Sequence, residues 1–152
     1  ILLSQNNKIS YHIITDYWKD TGTPEDIINA NKAILENKKS YFFGEKDNDV
    51  LLNGHVLVGK GTKILGKSQI QGPVILGDNC IIENARIGPN SSIGDNSKIT
   101  QSDIENSIIM SDCVINNSIK IRNSIISSNS KIQNNSKDEQ IFLLGEGTQI
   151  FF

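Results

Sequence analysis

The chain has few aromatic residues and no excess of either charge. Aromatic side chains make up 6% of the 152 residues, so a core built around large rings is not expected. Lysine and arginine together number 15, and aspartate and glutamate number 17. The lysines are scattered and form no basic surface for nucleic acid. No apolar run approaches the ~18 residues of a membrane helix, so neither nucleic acid nor a membrane is expected as a partner.

Cysteine is also scarce. Cys80 and Cys113 are the only two cysteines, and they form no CxxC pair, which predicts two small buried thiols rather than a metal or redox site. No secretory signal is recognised, and we expect a cytoplasmic protein. The chain starts at Ile1 rather than at methionine, so we expect it to be part of a longer protein.

An aliphatic residue recurs at about every sixth position from Val58 onward. This period fits neither a helix nor a simple strand, and it is typical of the hexapeptide repeat of a parallel β-helix. Glycine and asparagine recur between the aliphatic positions, where a tight corner needs a positive φ. The repeat shortens to five residues between Ile82 and Ile87, and it is blurred between Ile99 and Ile132. With about 18 residues per coil, residues 50–152 should form five to six coils.

The first third of the chain has a different pattern. Alternating and β-branched stretches within residues 1–17, notably 9–15, predict one or two strands, and we expect their partner sheet to come from sequence upstream. Thr23 followed by Pro24 and two acids predicts the start of a helix, which should end near residues 37–39. Residues 40–49 are predicted to be a linker, and the three aromatics within it should cover the first coil or fill a joint between domains.

Two motifs together point to a family. Residues 18–26, Trp-Lys-Asp-Thr-Gly-Thr-Pro-Glu-Asp, resemble the segment that closes the catalytic domain of sugar-1-phosphate nucleotidylyltransferases. The repeats at residues 72–77, 87–94 and 103–109 resemble the tail of the long form of glucose-1-phosphate thymidylyltransferases. The resemblance implies that residues 1–39 end a catalytic domain, that 40–49 are a linker, and that 50–152 form a left-handed parallel β-helix.

The resemblance also implies an activity for the complete enzyme. A sugar 1-phosphate attacks the α-phosphorus of a nucleoside triphosphate, which gives a nucleotide-sugar and pyrophosphate. Such transfers depend on positioning and charge neutralisation. One of the family's two Mg²⁺-binding aspartates corresponds to Asp20, a suitable oxygen ligand for a hard cation. The family's glycine-rich nucleotide loop is missing from these residues, so they contain no catalytic residue of their own and should not turn over alone.

Two other classes of function remain open. Hexapeptide acyltransferases commonly use a histidine as general base, and His55 is the candidate for an acetyl-CoA-dependent reaction on an amino sugar phosphate. The β-helix is otherwise an assembly or regulatory module, in which case we expect a homotrimer or another symmetric homo-oligomer. We favour the assembly role, because no histidine follows His55.

Overall fold

The computed structural model describes residues 10–15, 18–133 and 138–151. These residues form one helix, α1 (Pro24–Glu36), followed by 20 short strands. The strands are all parallel to their neighbours and lie in three sheets that wind around a common axis. The fold is therefore mainly β, a parallel β-helix of about six turns, and it is consistent with the left-handed coil that the family resemblance implies. No helix in the described ranges is long and apolar enough to cross a membrane.

The three sheets form the three faces of the coil. Sheet A contains β1 (Tyr41–Phe42), β4 (Val56–Val58), β7 (Val74–Leu76), β10 (Ser91–Ile93), β13 (Ile108–Ile109), β16 (Ile125–Ile126) and β19 (Leu143–Leu144). Sheet B contains β2 (Glu45–Lys46), β5 (Lys63–Leu65), β8 (Ile81–Glu83), β11 (Lys98–Thr100), β14 (Val114–Asn116), β17 (Lys131–Gln133) and β20 (Gln149–Phe151). Sheet C contains β3 (Leu51–Asn53), β6 (Gln69–Gln71), β9 (Arg86–Ile87), β12 (Asp103–Glu105), β15 (Lys120–Arg122) and β18 (Glu139–Gln140).

Aliphatic residues of the strands point inward and stack on their counterparts in the next coil. Alternate side chains of a strand point to opposite faces, so in sheets B and C the two flanking residues point outward. In sheet A the order is reversed, as in β7, where Val74 and Leu76 are 0% exposed and Ile75 between them points outward. In sheet B the inward column, through Ile64, Ile99 and Ile132, is 0% exposed. Equivalent columns line sheets A and C, and together the three columns form the core.

The corners between strands are made by residues with positive φ. Four residues with φ between 55° and 60° occupy successive coils at one corner, namely Asn79, Asn96, Asp112 and Asn129. Asparagine enters this region at lower cost than other side chains because its amide bonds locally. Asn96 Nδ2 donates to Asp112 Oδ1 at 3.1 Å, so the corners are also joined from one coil to the next.

Helix α1 packs on the outer surface of sheet A. It contacts β10, and Ile28 and Leu35 are buried on that side. The Asn31 amide donates to the Asn90 carbonyl at 3.1 Å and accepts from the Ser92 hydroxyl at 2.6 Å. The two bonds fix the helix against the fourth coil, so the helix is attached to the solenoid by both apolar packing and hydrogen bonds.

Several predictions made from the sequence can be compared with this fold. The β-helix and the capped helix are confirmed, and the irregular repeat between Ile99 and Ile132 is resolved into inward residues five or six positions apart. The predicted strand is not present at residues 10–15, which have no regular structure, and Ile9 lies outside the described residues. A strand needs a hydrogen-bonding neighbour, and none of the described strands lies beside this stretch.

The structure also adds detail to the predicted linker. Strands β1 and β2 fall within residues 40–49, and they pair with β4 and β5 of the solenoid. The first coil therefore includes part of this segment. Tyr41 and Phe43 stack with ring centroids 5.2 Å apart, at the end of the solenoid where the aromatics were expected. At the other end Phe151 is 57% exposed, and Phe152 lies outside the described residues.

Candidate functional site

The segment before α1 is held by the cap of the helix. The Thr23 side-chain oxygen accepts a hydrogen bond from the Asp26 backbone N–H at 3.2 Å, and its hydroxyl donates to Asp26 Oδ2 at 2.7 Å. Lys19 forms an ion pair with Asp26 at 2.9 Å. The Thr23 hydrogen bond, followed by that of Lys19, lowers the pKa of the Asp26 carboxyl below its ordinary value. The cap thus fixes the segment that contains Asp20.

Asp20 lies in this segment and its side chain is exposed. In the described part of the chain the Asp20 side chain forms no hydrogen bond or ion pair, whereas the neighbouring Lys19 forms an ion pair with Asp26. No group of three or more histidines, cysteines or carboxylates within the described ranges could hold a metal ion. Asp20 is therefore an exposed carboxylate without a described side-chain partner, and it could supply one oxygen ligand to a hard cation.

Trp18 also belongs to this segment, and its side chain is 70% exposed. Tyr11, Ile13 and Ile14 upstream are between 61% and 87% exposed. No described residue of this chain covers the Trp18 side chain. Four large apolar side chains between residues 10 and 18 are therefore exposed.

The two histidines lie in different parts of the chain, one before helix α1 and one in the solenoid. His55 is half-buried at the corner between β3 and β4, and its carbonyl accepts a hydrogen bond from the Val74 N–H at 3.0 Å. Gly72 lies over it, because a Cβ at Gly72 would clash with the His55 backbone. His12 is exposed in the irregular stretch before the helix. The described residues give His55 no acidic partner that would orient its ring.

A network of ion pairs that was not predicted from the sequence covers the outer surface of sheet C. Arg86 Nη1 lies 2.8 Å from Asp103 Oδ1 and 3.2 Å from Glu105 Oε2. From the next coil Arg122 Nη2 lies 3.0 Å from Asp103 Oδ2, and its Nε lies 3.8 Å from Glu139 Oε1. The Asp103 hydrogen bond raises the pKa of Arg86 above its ordinary value. The guanidinium of Arg86 is therefore held in its charged form.

This network borders a polar groove between sheet C and helix α1. The groove has a volume of about 630 Å³, and its walls include Lys32 of the helix and Asn90, Asn106 and Asn123 of the corners. The side-chain Nδ2 of Asn106 donates to the side-chain Oδ1 of Asn123 at 2.6 Å. The sequence does contain a signal for the network, because charged residues flank the inward isoleucines at steps of 17 residues, as in Arg86, Asp103 and Lys120.

The two cysteines lie in one buried column at a corner of the coil. Cys80 and Cys113 are free and 0% exposed, which confirms the prediction of small buried thiols. Burial is the main cause that raises the pKa of both thiols. Each Sγ lies 3.2 Å from a carbonyl of the next coil. Because nucleophilic thiols need a lowered pKa and access to solvent, these two are structural.

Comparison with known proteins supports the family resemblance. Residues 81–151 match the family model described as the GMPPB C-terminal domain. A glucose-1-phosphate thymidylyltransferase of Streptomyces antibioticus is 34% identical over 88 residues, which is 58% of this chain and 24% of that protein. A protein named bifunctional protein GlmU, of Methanococcus aeolicus, is 36% identical over 62 residues, 41% of this chain and 15% of that protein. The chain thus matches about a quarter or less of the length of these relatives.

A solved structure has a similar fold. It is a mutant of perosamine N-acetyltransferase from Caulobacter crescentus, in complex with CoA and GDP-perosamine. The TM-score is 0.59 and the identity 14%, and the match covers 83% of this chain and 60% of that chain. The likeness at this identity concerns the fold alone.

Proposed function

We propose that the chain is the C-terminal part of a sugar-1-phosphate nucleotidylyltransferase of the glucose-1-phosphate thymidylyltransferase type. The complete cytoplasmic enzyme would form dTDP-glucose and pyrophosphate from dTTP and glucose 1-phosphate. The observation that carries the proposal is the presence in one chain of the Trp18–Thr23 segment and a β-helix whose relatives include proteins named thymidylyltransferases. Either feature alone would be less specific.

Asp20 is the residue of this chain that we assign to the chemistry. A bound Mg²⁺ would neutralise phosphate charge as the nucleotidyl group is transferred. Asp20 is exposed and is not committed to another described side chain, so it is available to such an ion. The Thr23 cap and the Lys19–Asp26 ion pair would hold the loop that presents its carboxylate. The nucleotide and the sugar would be bound elsewhere in the complete protein.

The test uses the complete parent protein with glucose 1-phosphate, Mg²⁺, and dTTP or UTP, and it follows the release of pyrophosphate. We expect Asp20→Asn to lower kcat at least about 100-fold, the scale seen when one electrostatic contact to a transition state is lost, and to raise the Mg²⁺ concentration needed for half-maximal rate. Glu25→Gln is the matched control, since Glu25 is an exposed acid of the same region. Near-normal rates for Asp20→Asn would refute the metal assignment.

We assign the β-helix itself to assembly or regulation. Helix α1 contacts sheet A and reaches the edge of sheet C at the polar groove, which leaves the remaining outer surfaces of sheets B and C as flat faces. Flat faces of this kind suit symmetric contacts between copies. A homotrimer or another homo-oligomer is therefore expected, and light scattering of the 152-residue chain at tens of micromolar measures it directly. A monomer under these conditions would contradict the assignment.

An acyltransferase is the second candidate, because the same fold occurs in an acyltransferase. One relative is named bifunctional protein GlmU, and the solved structure with a similar fold is an N-acetyltransferase. In this reaction the His55 imidazole would take a proton from the amine of an amino sugar phosphate. The amine would attack the acetyl-CoA carbonyl, and the C–S bond would break to release the CoA thiol.

Release of free thiol from acetyl-CoA with glucosamine 1-phosphate tests this second candidate. The acyltransferase predicts thiol release that His55→Asn abolishes and that the control His12→Asn leaves unchanged. No thiol release, or release that persists in His55→Asn, would remove His55 as the base. Pyrophosphate release without thiol release would leave the β-helix with the assembly role.

A further inference from the structure

The outer surface of sheet C carries charges of alternating sign along the coil axis. Its strands pair in strict register, so Arg86, Asp103, Lys120 and Glu139 lie one above another in four successive coils. The signs run plus, minus, plus, minus. In the parallel column on the same face, Glu105 and Arg122 follow Gly88, so minus is again followed by plus.

The ion pairs within the chain hold these side chains in place. Asp103 accepts from Arg86 at 2.8 Å on one side and lies 3.0 Å from Arg122 on the other. The Arg122 side chain is only 15% exposed, and its Nη1 also donates to the Asp103 carbonyl at 2.9 Å. An interface loses less entropy when its charged side chains are already ordered. By contrast, Lys120 is exposed and forms no ion pair with another described residue.

The charge pattern is complementary to itself under one symmetry only. If two copies face each other across a two-fold axis along the strands, the coil order reverses. Arg86 then faces Glu139 of the second copy, and Asp103 faces Lys120. Glu105 likewise faces Arg122. A two-fold axis along the coil instead places Asp103 against Glu105 and Lys120 against Arg122, so all these contacts join like charges.

Sheet B lacks this property. Its corresponding outward column contains Lys63, Lys98 and Lys131, separated by Ile81 and Val114. The only acid in this column is Glu45, which lies beside Lys63 at the end of the sheet. No two-fold arrangement can therefore place an acid opposite each of the three lysines. Sheet A is partly covered by α1. Sheet C is therefore the face whose electrostatics favour a second copy.

We propose that two copies of this chain associate through sheet C in an antiparallel, two-fold arrangement centred between β12 and β15. The inference deepens the assembly role assigned to the β-helix above and rests on it. Four coils span only about 20 Å at the spacing of neighbouring strands, so the interface is at the small end of specific interfaces. Because the ion pairs between the two copies would be largely exposed, added salt should weaken the association.

The first experiment reverses the charge of Lys120 in the 152-residue chain. In the proposed dimer Lys120→Glu places an acid against Asp103 of the second copy, and symmetry repeats this contact. Lys131→Glu is a matched control, because Lys131 occupies the same outward position of a Lys-Ile strand in sheet B. We expect sedimentation equilibrium to give at least about a tenfold higher dimer Kd for Lys120→Glu, since like charges across an interface are costly. Lys131→Glu should stay within about twofold of the unchanged chain.

Three results would overturn the proposal. They are a monomer at about 100 μM in low salt, a trimer as the only oligomer, or equal effects of Lys120→Glu and Lys131→Glu. Turnover is not measured, so failure here leaves the pyrophosphate test of the nucleotidylyltransferase untouched. A dimer that persists unchanged when the salt is raised from about 50 to 500 mM would also contradict an interface of exposed ion pairs.

Cross-linking gives a second readout that does not depend on a charge reversal. In the proposed dimer the two copies of residue 120 lie about one coil spacing apart along the axis and about one sheet-packing distance across it. Lys120→Cys should therefore react with a bismaleimide of ~10 Å reach to give a covalent dimer. Lys131→Cys should not, and Cys80 and Cys113 are buried and provide a low background. Equal cross-linking at positions 120 and 131 would refute the sheet C contact.

Discussion

Apolar side chains are buried in the coils of the solenoid but exposed in the segment before α1. In the coils the inward isoleucines, such as Ile87 and Ile104, are 0% exposed. In the segment Tyr11, Ile13 and Trp18 are 69–87% exposed. The solenoid completes its own core by stacking, as repeat proteins do. The preceding segment has no such neighbour among the described residues, so its burial requires contacts from outside them.

The largest expected difference between the two regions is in the cost of removing an apolar side chain. Ile104→Ala should lower the free energy of unfolding by about 2–5 kcal/mol, because the residue is fully buried and its neighbours cannot close the cavity. Ile13→Ala should change it by less than about 0.5 kcal/mol, as for an exposed side chain. Urea unfolding of the 152-residue chain measures both. Similar losses of unfolding free energy for the two variants would contradict this difference between the solenoid and the segment before α1.

A smaller effect is expected at the corners, which only the solenoid contains. Asn96 has a φ of 58°, and Asn96→Ala should cost about 1–2 kcal/mol because alanine is strained in this region. Asn96→Gly is the control, since glycine adopts this φ freely but cannot donate to Asp112. We expect the glycine variant to unfold at a urea concentration closer to that of the unchanged chain. If both variants lost the same stability, the amide bonds rather than the backbone conformation would hold the corner.

The repeats explain why so much of this fold could be predicted from the sequence. The inward isoleucines can be recognised from the spacing of aliphatic residues alone, and the helix cap at Thr23 can be recognised from a few adjacent residues. Even the shortened step from Ile82 to Ile87 was visible, because the corner there has lost a residue but both side chains still point inward.

Features that depend on neighbouring coils were harder to predict. The Arg86–Asp103 pair joins residues 17 positions apart, and neither residue is unusual by itself. The packing of α1 on sheet A depends on Asn31 reaching Ser92, 61 positions away. Neither contact follows from local periodicity, because each requires the register of the coils to be known first. The strand predicted over residues 9–15 failed for a related reason, since a β pattern cannot show whether a partner strand lies beside it.

The smallest expected effect concerns the junction between the two regions, the cap of α1. Thr23→Ala removes the acceptor for the Asp26 N–H and should weaken the first turn by about 1 kcal/mol. Hydrogen exchange at the first turn of the helix should then be roughly fivefold faster, whereas exchange in the coils should be unchanged. Equal acceleration in the coils would mean that the helix and the solenoid open as one unit.

The cap should also respond to pH in a defined direction. The pKa of Asp26 is lowered in the folded chain, first by the Thr23 hydrogen bond and then by Lys19. A lowered carboxyl pKa contributes stability that is fully present above the unfolded value, near 3.8, and is lost as the pH falls through the folded value. Protection of the first turn of α1 should therefore be constant near pH 6 and decline below about pH 4. Asp26→Asn should remove this decline, and a decline that persists in Asp26→Asn would assign it to another carboxyl group.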